Sequence, residues 1–149
     1  VMELVEKKIV PFTDMRRTTE MAMGPNWKKA TPEQQAILTS EFKTLLMRTY
    51  SGALSQLRDQ TVQFKALRAA PDDKEVVVKT VVVGRGDPIS LDYRLEKSSN
   101  GWKVYDMNIM GAWLVEAYRN QFANQISQNG IDGLVKFLQD RNKQLAATK

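Results

Sequence analysis

The feature that most constrains the fold is an alternation of apolar and polar residues between residues 60 and 110. In residues 89–96, ISLDYRLE, every second side chain is apolar and the others are polar or charged. Because successive side chains of a strand point to opposite faces, this pattern predicts one buried and one partly solvated sheet face. Segments 60–68, 75–83 and 102–110 show the same period, and turn signals such as Asn100-Gly101 separate them. The pattern predicts a four-stranded, or slightly larger, antiparallel meander of consecutive hairpins.

The clearest helix start lies ahead of these strands, at residues 31–34. Thr31 is positioned to cap the helix, Pro32 suits the first helical position, and Gln34 completes a capping box. An apolar stripe at helical spacing then begins at Leu38 and Phe42 and continues for about five turns. The sequence therefore predicts a long helix immediately before the sheet.

Further helices are predicted on both sides of the sheet. They cover residues 2–10, residues 14–23 with Thr13 as the cap, residues 112–127 and residues 131–141. Asn129-Gly130 is predicted to separate the last two of these helices, and the tail from Gln144 is predicted to fray. The order of helices, strands and helices predicts an α+β fold: one domain, 1–149, with a curved antiparallel sheet covered by N- and C-terminal helices and an apolar cavity between them.

Composition excludes several kinds of chemistry. The chain has no cysteine and no histidine, which rules out disulfides, thiolate nucleophiles, Ser-His-Asp catalysis and metals held by Cys or His. The formal net charge is +5, from 22 basic and 17 acidic residues, without a clustered basic run. This charge argues against a nucleic-acid partner and fits weak attraction to anionic lipid head groups. No window is apolar enough to span a membrane and no signal peptide is visible, although a cleaved export signal is compatible with the sequence.

One carboxylate stands out, because Asp106 falls in the middle of a strand between apolar neighbours. A buried carboxylate needs hydrogen-bond partners. We therefore expect Asp106 to be a structural acceptor for a helix end or a loop amide.

The inward positions of the sheet and of the flanking helices are rich in bulky apolar and tyrosine side chains. They are equally compatible with a tightly packed core and with the walls of a ligand cavity, in which tyrosine hydroxyls serve as polar handles. The candidate ligand-lining residues are Leu45, Leu46, Tyr50, Val78, Val82, Leu91, Tyr93, Leu95, Tyr105, Met107, Ile109, Trp113, Leu114, Tyr118 and Phe122.

An ordered set of short motifs resembles the MlaC family, also called the toluene-tolerance family. The likeness covers nearly the whole chain and is densest from Gly84 to Leu138. The matching stretches are Ile9-Val10-Pro11, Ala30-Thr31-Pro32-Glu33-Gln34, Leu91-Asp92-Tyr93-Arg94-Leu95, Gly101-Trp102-Lys103-Val104-Tyr105-Asp106-Met107, Gly111, Tyr118-Arg119, Gln121-Phe122 and Asn129-Gly130-Ile131-Asp132-Gly133-Leu134.

The resemblance implies a periplasmic carrier that holds the acyl tails of a glycerophospholipid between a curved sheet and helices. It implies exchange of that lipid with an outer-membrane lipoprotein complex and with an inner-membrane ABC transporter bearing MCE domains, which maintains the lipid asymmetry of the outer membrane. It implies transient proximity to membranes, no catalytic residues and no cofactor besides the lipid cargo. At positions 112–113, after Gly111, this chain has Ala112-Trp113 where the family usually has smaller residues, which implies that Trp113 narrows the cavity or caps its mouth.

Two alternatives come from other functional classes. In the first, the same fold forms an isomerase- or dehydratase-like enzyme for a small apolar substrate, with Asp106 as the base and Tyr93 or Tyr105 as the oxyanion donor. In the second, the chain is an interaction module without a ligand.

Overall fold

The computed structural model describes residues 7, 9–55, 61–67, 70, 72–84, 86–109 and 111–147. Three helices, two 3₁₀ turns and five strands follow one another in these residues. In chain order they are the 3₁₀ turn Val10–Phe12, α1 (Met15–Met23), the 3₁₀ turn Gly24–Lys29, α2 (Pro32–Ser55), β1 (Thr61–Phe64), β2 (Glu75–Val83), β3 (Ile89–Ser98), β4 (Gly101–Ile109), β5 (Ala112–Trp113) and α3 (Leu114–Ala147).

The strands form one antiparallel sheet in the order β1-β2-β3-β4-β5, so the predicted α+β fold and the predicted meander are confirmed. The predicted start of a helix at residue 112 is wrong, because residues 112 and 113 form the fifth strand and the helix begins at Leu114. Ala112 pairs with Ile109 and Trp113 pairs with Asn108. Gly111 has φ of 90°, a value that favours glycine, and it lets the chain turn back along β4 before the helix begins.

A β-bulge interrupts the pairing of β3 with β4. Arg94 lies opposite Asp106, whereas Leu95 lies opposite Val104, so Tyr105 is the extra residue of β4. The prediction that Tyr105 shares a face with Met107 and Ile109 is therefore wrong. Period two assigns faces correctly only while the pairing has no such interruption.

Cross-strand pairing defines two sheet faces. The apolar face carries residues that pair across β2, β3 and β4, namely Val76, Val78, Thr80, Val82, Ile89, Leu91, Tyr93, Leu95, Met107 and Ile109. The opposite side, which we name the charged face, carries Val77, Lys79, Asp92, Arg94, Glu96, Asp106 and Asn108.

The capping box of α2 forms as predicted. The Gln34 N–H donates to the Thr31 hydroxyl at 3.1 Å, and the Thr31 N–H donates to the Gln34 side-chain oxygen at 2.9 Å. The predicted cap of α1 is wrong by one residue. Asp14 Oδ1 accepts from the Arg17 N–H at 3.0 Å, while the Thr13 hydroxyl donates to the Val10 carbonyl. The charged acceptor takes the helix end, because a carboxylate also suits the helix dipole.

Helix α3 is broken where the sequence predicts it, at Gly130, whose φ of 73° and ψ of −177° are not helical. The helix continues to Ala147, so the predicted end at 141 and the frayed tail from Gln144 are wrong. Leu145 packs against the helical core, which holds the last turns in place. The predicted helix over residues 2–10 lies largely outside the described residues.

The hydrophobic core lies among the helices. Its buried members come from α1, α2, α3 and the 3₁₀ turn before α2. The helices approach the sheet mainly along β4 and β5. Among the helices that the structure describes, none has the length and apolar character required to cross a membrane. The core side chains are Ala22, Met23, Trp27, Ala30, Leu38, Phe42, Leu45, Phe122, Leu134 and Leu138.

Candidate functional site

The apolar face of the sheet is only partly covered by protein. Val82 and Thr80 are buried, and the Thr80 hydroxyl donates to the Leu91 carbonyl at 2.7 Å. The other predicted ligand-lining residues on this face, Val78, Leu91, Tyr93, Leu95, Met107 and Ile109, are half-buried. None of them belongs to the helical core described above. Seven of the predicted residues therefore come together on one surface that is only partly buried.

The apolar face is more exposed at the sheet edge, on β1. Val62 pairs with Val82 and Phe64 pairs with Thr80, so both side chains belong to the same face. Phe64 is 74% exposed and Val62 is 47% exposed. These two exposed side chains extend the apolar face to the edge of the sheet.

Four predicted residues belong to the helical layer. Leu45 and Phe122 are members of the buried core, and Leu46 and Tyr118 pack against it. Phe42 makes edge-to-face contacts with Phe122 and Tyr118, with ring centroids 5.0 and 5.2 Å apart. Leu45 and Phe122 thus have protein neighbours around them.

Leu114 and Tyr50 lie at the borders of this layer. Leu114 is the buried first residue of α3. Tyr50 is half-buried near the end of α2. Burial raises the pKa of the Tyr50 and Tyr118 hydroxyls, and the two ionisations oppose each other, so both hydroxyls stay protonated at neutral pH.

Tyr105 and Trp113 lie on the charged face, apart from the other predicted residues. The Tyr105 hydroxyl donates to Glu75 Oε1 at 3.4 Å, and the Arg94 guanidinium lies 4.0 Å from the centroid of the Trp113 ring. Burial, followed by the nearby Glu75 charge, raises the pKa of Tyr105. Trp113 is therefore placed against an arginine of the sheet and away from the apolar face.

Asp106 has the structural role that its position predicts. Its Oδ1 accepts from the Val115 N–H at 3.1 Å and from the Met107 N–H at 2.8 Å, and its Oδ2 lies 3.8 Å from Arg94. The side chain thereby satisfies the first turn of α3, where backbone N–H groups lack helical partners. Burial outweighs these favourable contacts and raises the pKa of the carboxyl.

The residues of the enzymatic alternative do not form one site. Asp106 lies on the charged face and Tyr93 on the apolar face. Tyr105 directs its hydroxyl to Glu75, and the Asp106 oxygens are engaged by backbone amides and Arg94. Within the described ranges, no group of three or more Asp or Glu side chains is arranged to hold a metal ion.

Sequence reasoning missed a second concave surface. A cleft of about 630 Å³ is lined by Lys79 and Arg94, among other residues. Alternation correctly placed both outside the apolar set, but their proximity depends on the register of β2 with β3, in which Arg94 lies opposite Val77, two residues from Lys79. No local motif in the sequence marks it.

The fold and this site define a class of α+β proteins in which an antiparallel sheet lies beside a helical core and one apolar face of the sheet is only partly buried. The chain belongs to the MlaC family, because the family model described as MlaC protein matches residues 1–140. The resemblance seen in the sequence motifs is therefore confirmed.

Relatives and one solved structure support this assignment. The chain is 30% identical over 105 residues to toluene tolerance protein ttg2D of Pseudomonas putida, covering 70% of this chain and 49% of that protein, about half its length. It is 23% identical over 145 residues to the intermembrane phospholipid transport system binding protein MlaC of Haemophilus influenzae, covering 95% of this chain and 68% of that protein. A phospholipid-binding protein from Ralstonia solanacearum, solved in complex with a phospholipid, has 58% identity and a TM-score of 0.93, covering 97% of this chain and 81% of that one.

Proposed function

We propose that this chain is a phospholipid carrier that holds the acyl tails of a glycerophospholipid against the apolar face of its sheet. The observation that carries the proposal is the half-buried state of the apolar side chains on that face, which lie outside the helical core. The phospholipid complex of the Ralstonia relative supports the choice of ligand, since that protein shares the fold and more than half of the aligned residues.

The energetics suit a carrier. Moving an acyl chain from water to an apolar surface is favourable by about 0.8 kcal/mol per methylene. Moving it from a bilayer gains almost nothing, because both environments are apolar. The protein therefore shields the tails from water during transit and still releases the lipid to a membrane or to another lipid-binding protein.

The setting that we propose is the periplasm, with exchange between an outer-membrane lipoprotein complex and an inner-membrane ABC transporter complex with MCE domains. The phospholipid transport role in the name of the Haemophilus relative supports a place in such a system. Maintenance of outer-membrane lipid asymmetry and transient proximity to membranes follow from that place.

Extraction tests the proposal directly. The purified protein is denatured, extracted with organic solvent and analysed by mass spectrometry. We expect about one phospholipid per chain. An empty extract, combined with turnover of a small apolar carbonyl substrate, would instead support the enzymatic alternative, and an empty extract without turnover would support a ligand-free interaction module.

A pair of neighbouring substitutions tests the location of the tails. Leu91→Arg places a charge on the apolar face, whereas Ser90→Arg places the same charge on the opposite side, at an exposed position. We expect Leu91→Arg to lose most of the lipid, because a buried guanidinium is incompatible with acyl chains. Ser90→Arg should retain it. Circular dichroism verifies that both variants are folded, and equal lipid content in both would reject the apolar face as the binding surface.

A further inference from the structure

The cleft on the charged face lies beside the part of β2 that has no β1 partner. β1 pairs with β2 only over Thr80–Val83, and the Lys65 N–H to Lys79 carbonyl bond, at 2.9 Å, is a further link beyond that pairing. The remaining length of β2 borders the cleft of about 630 Å³. The described wall residues are Ala66, Glu75, Val76, Val77, Lys79, Arg94 and Tyr105.

Arg94 is held in place with most of its hydrogen-bonding capacity unused. Its guanidinium stacks 4.0 Å from the Trp113 ring centroid, which fixes the plane of the group. The contact with Asp106 Oδ2 is a long one, at 3.8 Å. Among the described residues, the Arg94 side chain makes no hydrogen bond within the usual distance limits. A fixed, planar guanidinium with available N–H groups suits an oxyanion that it can contact through two donors.

Lys79 supplies a second cation. It is exposed, and in the part of the chain that the structure describes its ammonium has no ion pair, although Asp92 lies directly across the sheet from it. Among the described residues of the cleft wall, Glu75 is the one acidic side chain, and its Oε1 accepts a hydrogen bond from the Tyr105 hydroxyl. The described part of the cleft wall therefore carries two cations and one carboxylate, and the balance favours an anion.

We infer that this cleft is a phosphate-binding site, in which Arg94 and Lys79 contact the oxygens of a phosphate group. The phosphate belongs either to the head group of the carried lipid or to a free phosphate compound. The head-group source rests on the proposed function, whereas the free-phosphate source does not. In both cases the polar contact is made on the charged face, across the sheet from the apolar face.

Titration with inorganic phosphate tests the site. Backbone amide shifts are followed by NMR in a phosphate-free buffer, in protein as purified and again after lipid removal. We expect saturable shifts at Val77, Lys79 and Arg94. Lys79→Gln should weaken binding about tenfold, because one charge-assisted contact is lost. Lys97→Gln, the same charge change at an exposed position that is absent from the cleft wall, should leave the affinity unchanged.

A second variant addresses Arg94 without removing its charge. Arg94→Lys keeps a cation near Asp106 but loses the planar pair of donors, so phosphate affinity should fall about tenfold while the unfolding temperature changes little.

The two preparations identify the source of the phosphate. Saturable shifts that appear only after lipid removal assign the site to the lipid head group, and equal binding before and after removal assigns it to free phosphate. Absence of saturable shifts in both preparations, or equal weakening by Lys79→Gln and Lys97→Gln, overturns the inference. Because lipid content is measured separately by extraction, failure of the carrier proposal and failure of the phosphate site give different results.

Discussion

At the scale of single residues, Asp106 joins the sheet to the longest helix. One of its oxygens accepts both the Met107 and the Val115 N–H groups, and the whole residue is 3% exposed. Removing the acceptor would leave a buried amide without a partner, which costs about 1–3 kcal/mol.

Two substitutions at Asp106 distinguish the contribution of the hydrogen-bond acceptor to stability from that of the negative charge. Asp106→Asn keeps an oxygen at the Oδ1 position, so we expect the free energy of unfolding at neutral pH to stay within about 1 kcal/mol of the original. Asp106→Ala should lower it by about 1–3 kcal/mol. Chemical denaturation measures both. If the two variants were equally stable, the link to Val115 would not contribute to stability.

The same residue predicts a pH dependence with a definite sign. The pKa of Asp106 is raised above 3.8 by burial in the folded state, so the folded protein holds its proton to higher pH than the unfolded chain. Stability from this group is therefore lost as the pH rises from about 4 through the folded pKa. The difference in unfolding free energy between the original protein and Asp106→Asn should fall over that range. A difference independent of pH would contradict a raised pKa.

The residue scale also shows what the sequence could and could not reveal. The role of Asp106 was predictable, because a lone carboxylate between apolar strand residues needs donors nearby. The placement of Tyr105 was not predictable, since an extra residue in β4 depends on its pairing with β3 and leaves no mark in the alternation itself.

At the scale of elements, the break in α3 requires two glycines. Gly130 adopts a positive φ, and the resulting turn brings Asn129 over Gly133. A methyl group on Gly133 would overlap the Asn129 Cβ atom. In a regular helix, residues four apart have Cβ atoms about 5–6 Å from each other and do not overlap.

Gly133→Ala should therefore destabilise the protein by about 1–3 kcal/mol, the usual cost of forced overpacking. Gly86→Ala is the control, because a methyl group at that loop position would meet no heavy atom within 4 Å and should change stability by less than about 0.5 kcal/mol. Thermal unfolding of both variants gives the comparison. A Gly133→Ala variant as stable as Gly86→Ala would mean that the break in α3 relaxes at no cost.

The strands of nine or ten residues were predicted well, because each contains four or more repeats of the alternation between apolar and polar residues. β2 has the predicted bounds, and the ends of β3 and β4 differ by one or two residues. β5 has two residues and no measurable period, so only its partner strand reveals it. The break in α3 was predictable from Asn129-Gly130, but the extension to Ala147 depends on packing by Leu145.

At the scale of the whole molecule, the apolar residues divide between a helical core and the sheet's apolar face. Periodicity identifies which side chains point inward but not what covers them. Leu45 and Leu91 have the same chemical character in the sequence, yet one is a buried core residue and the other is half-buried on the sheet. For this reason the lining of the site stays a prediction: its strand residues lie together on one face, whereas Leu45 and Phe122 belong to the helical core.

A ligand that fills the space against the apolar face should also stabilise the fold. At a lipid concentration a hundredfold above Kd, binding adds about 2.7 kcal/mol. Lipid removal should therefore lower the unfolding temperature by roughly 5–10 °C for a domain of this size. Differential scanning calorimetry before removal, after removal and after reloading measures the effect. An unfolding temperature that is independent of lipid would show that the ligand does not bind preferentially to the folded protein.

The extra residue in β4 has a consequence for comparing homologous sequences across this hairpin. A relative with one residue fewer at position 105 would continue the ladder without interruption, and Val104 and Asp106 would keep their present partners on β3. If the gap were placed elsewhere in β4, every residue between that gap and Tyr105 would be aligned with a residue of the opposite sheet face. An alignment gap in this hairpin therefore belongs at Tyr105, because removing the bulged residue leaves the partners of Val104 and Asp106 on β3 unchanged.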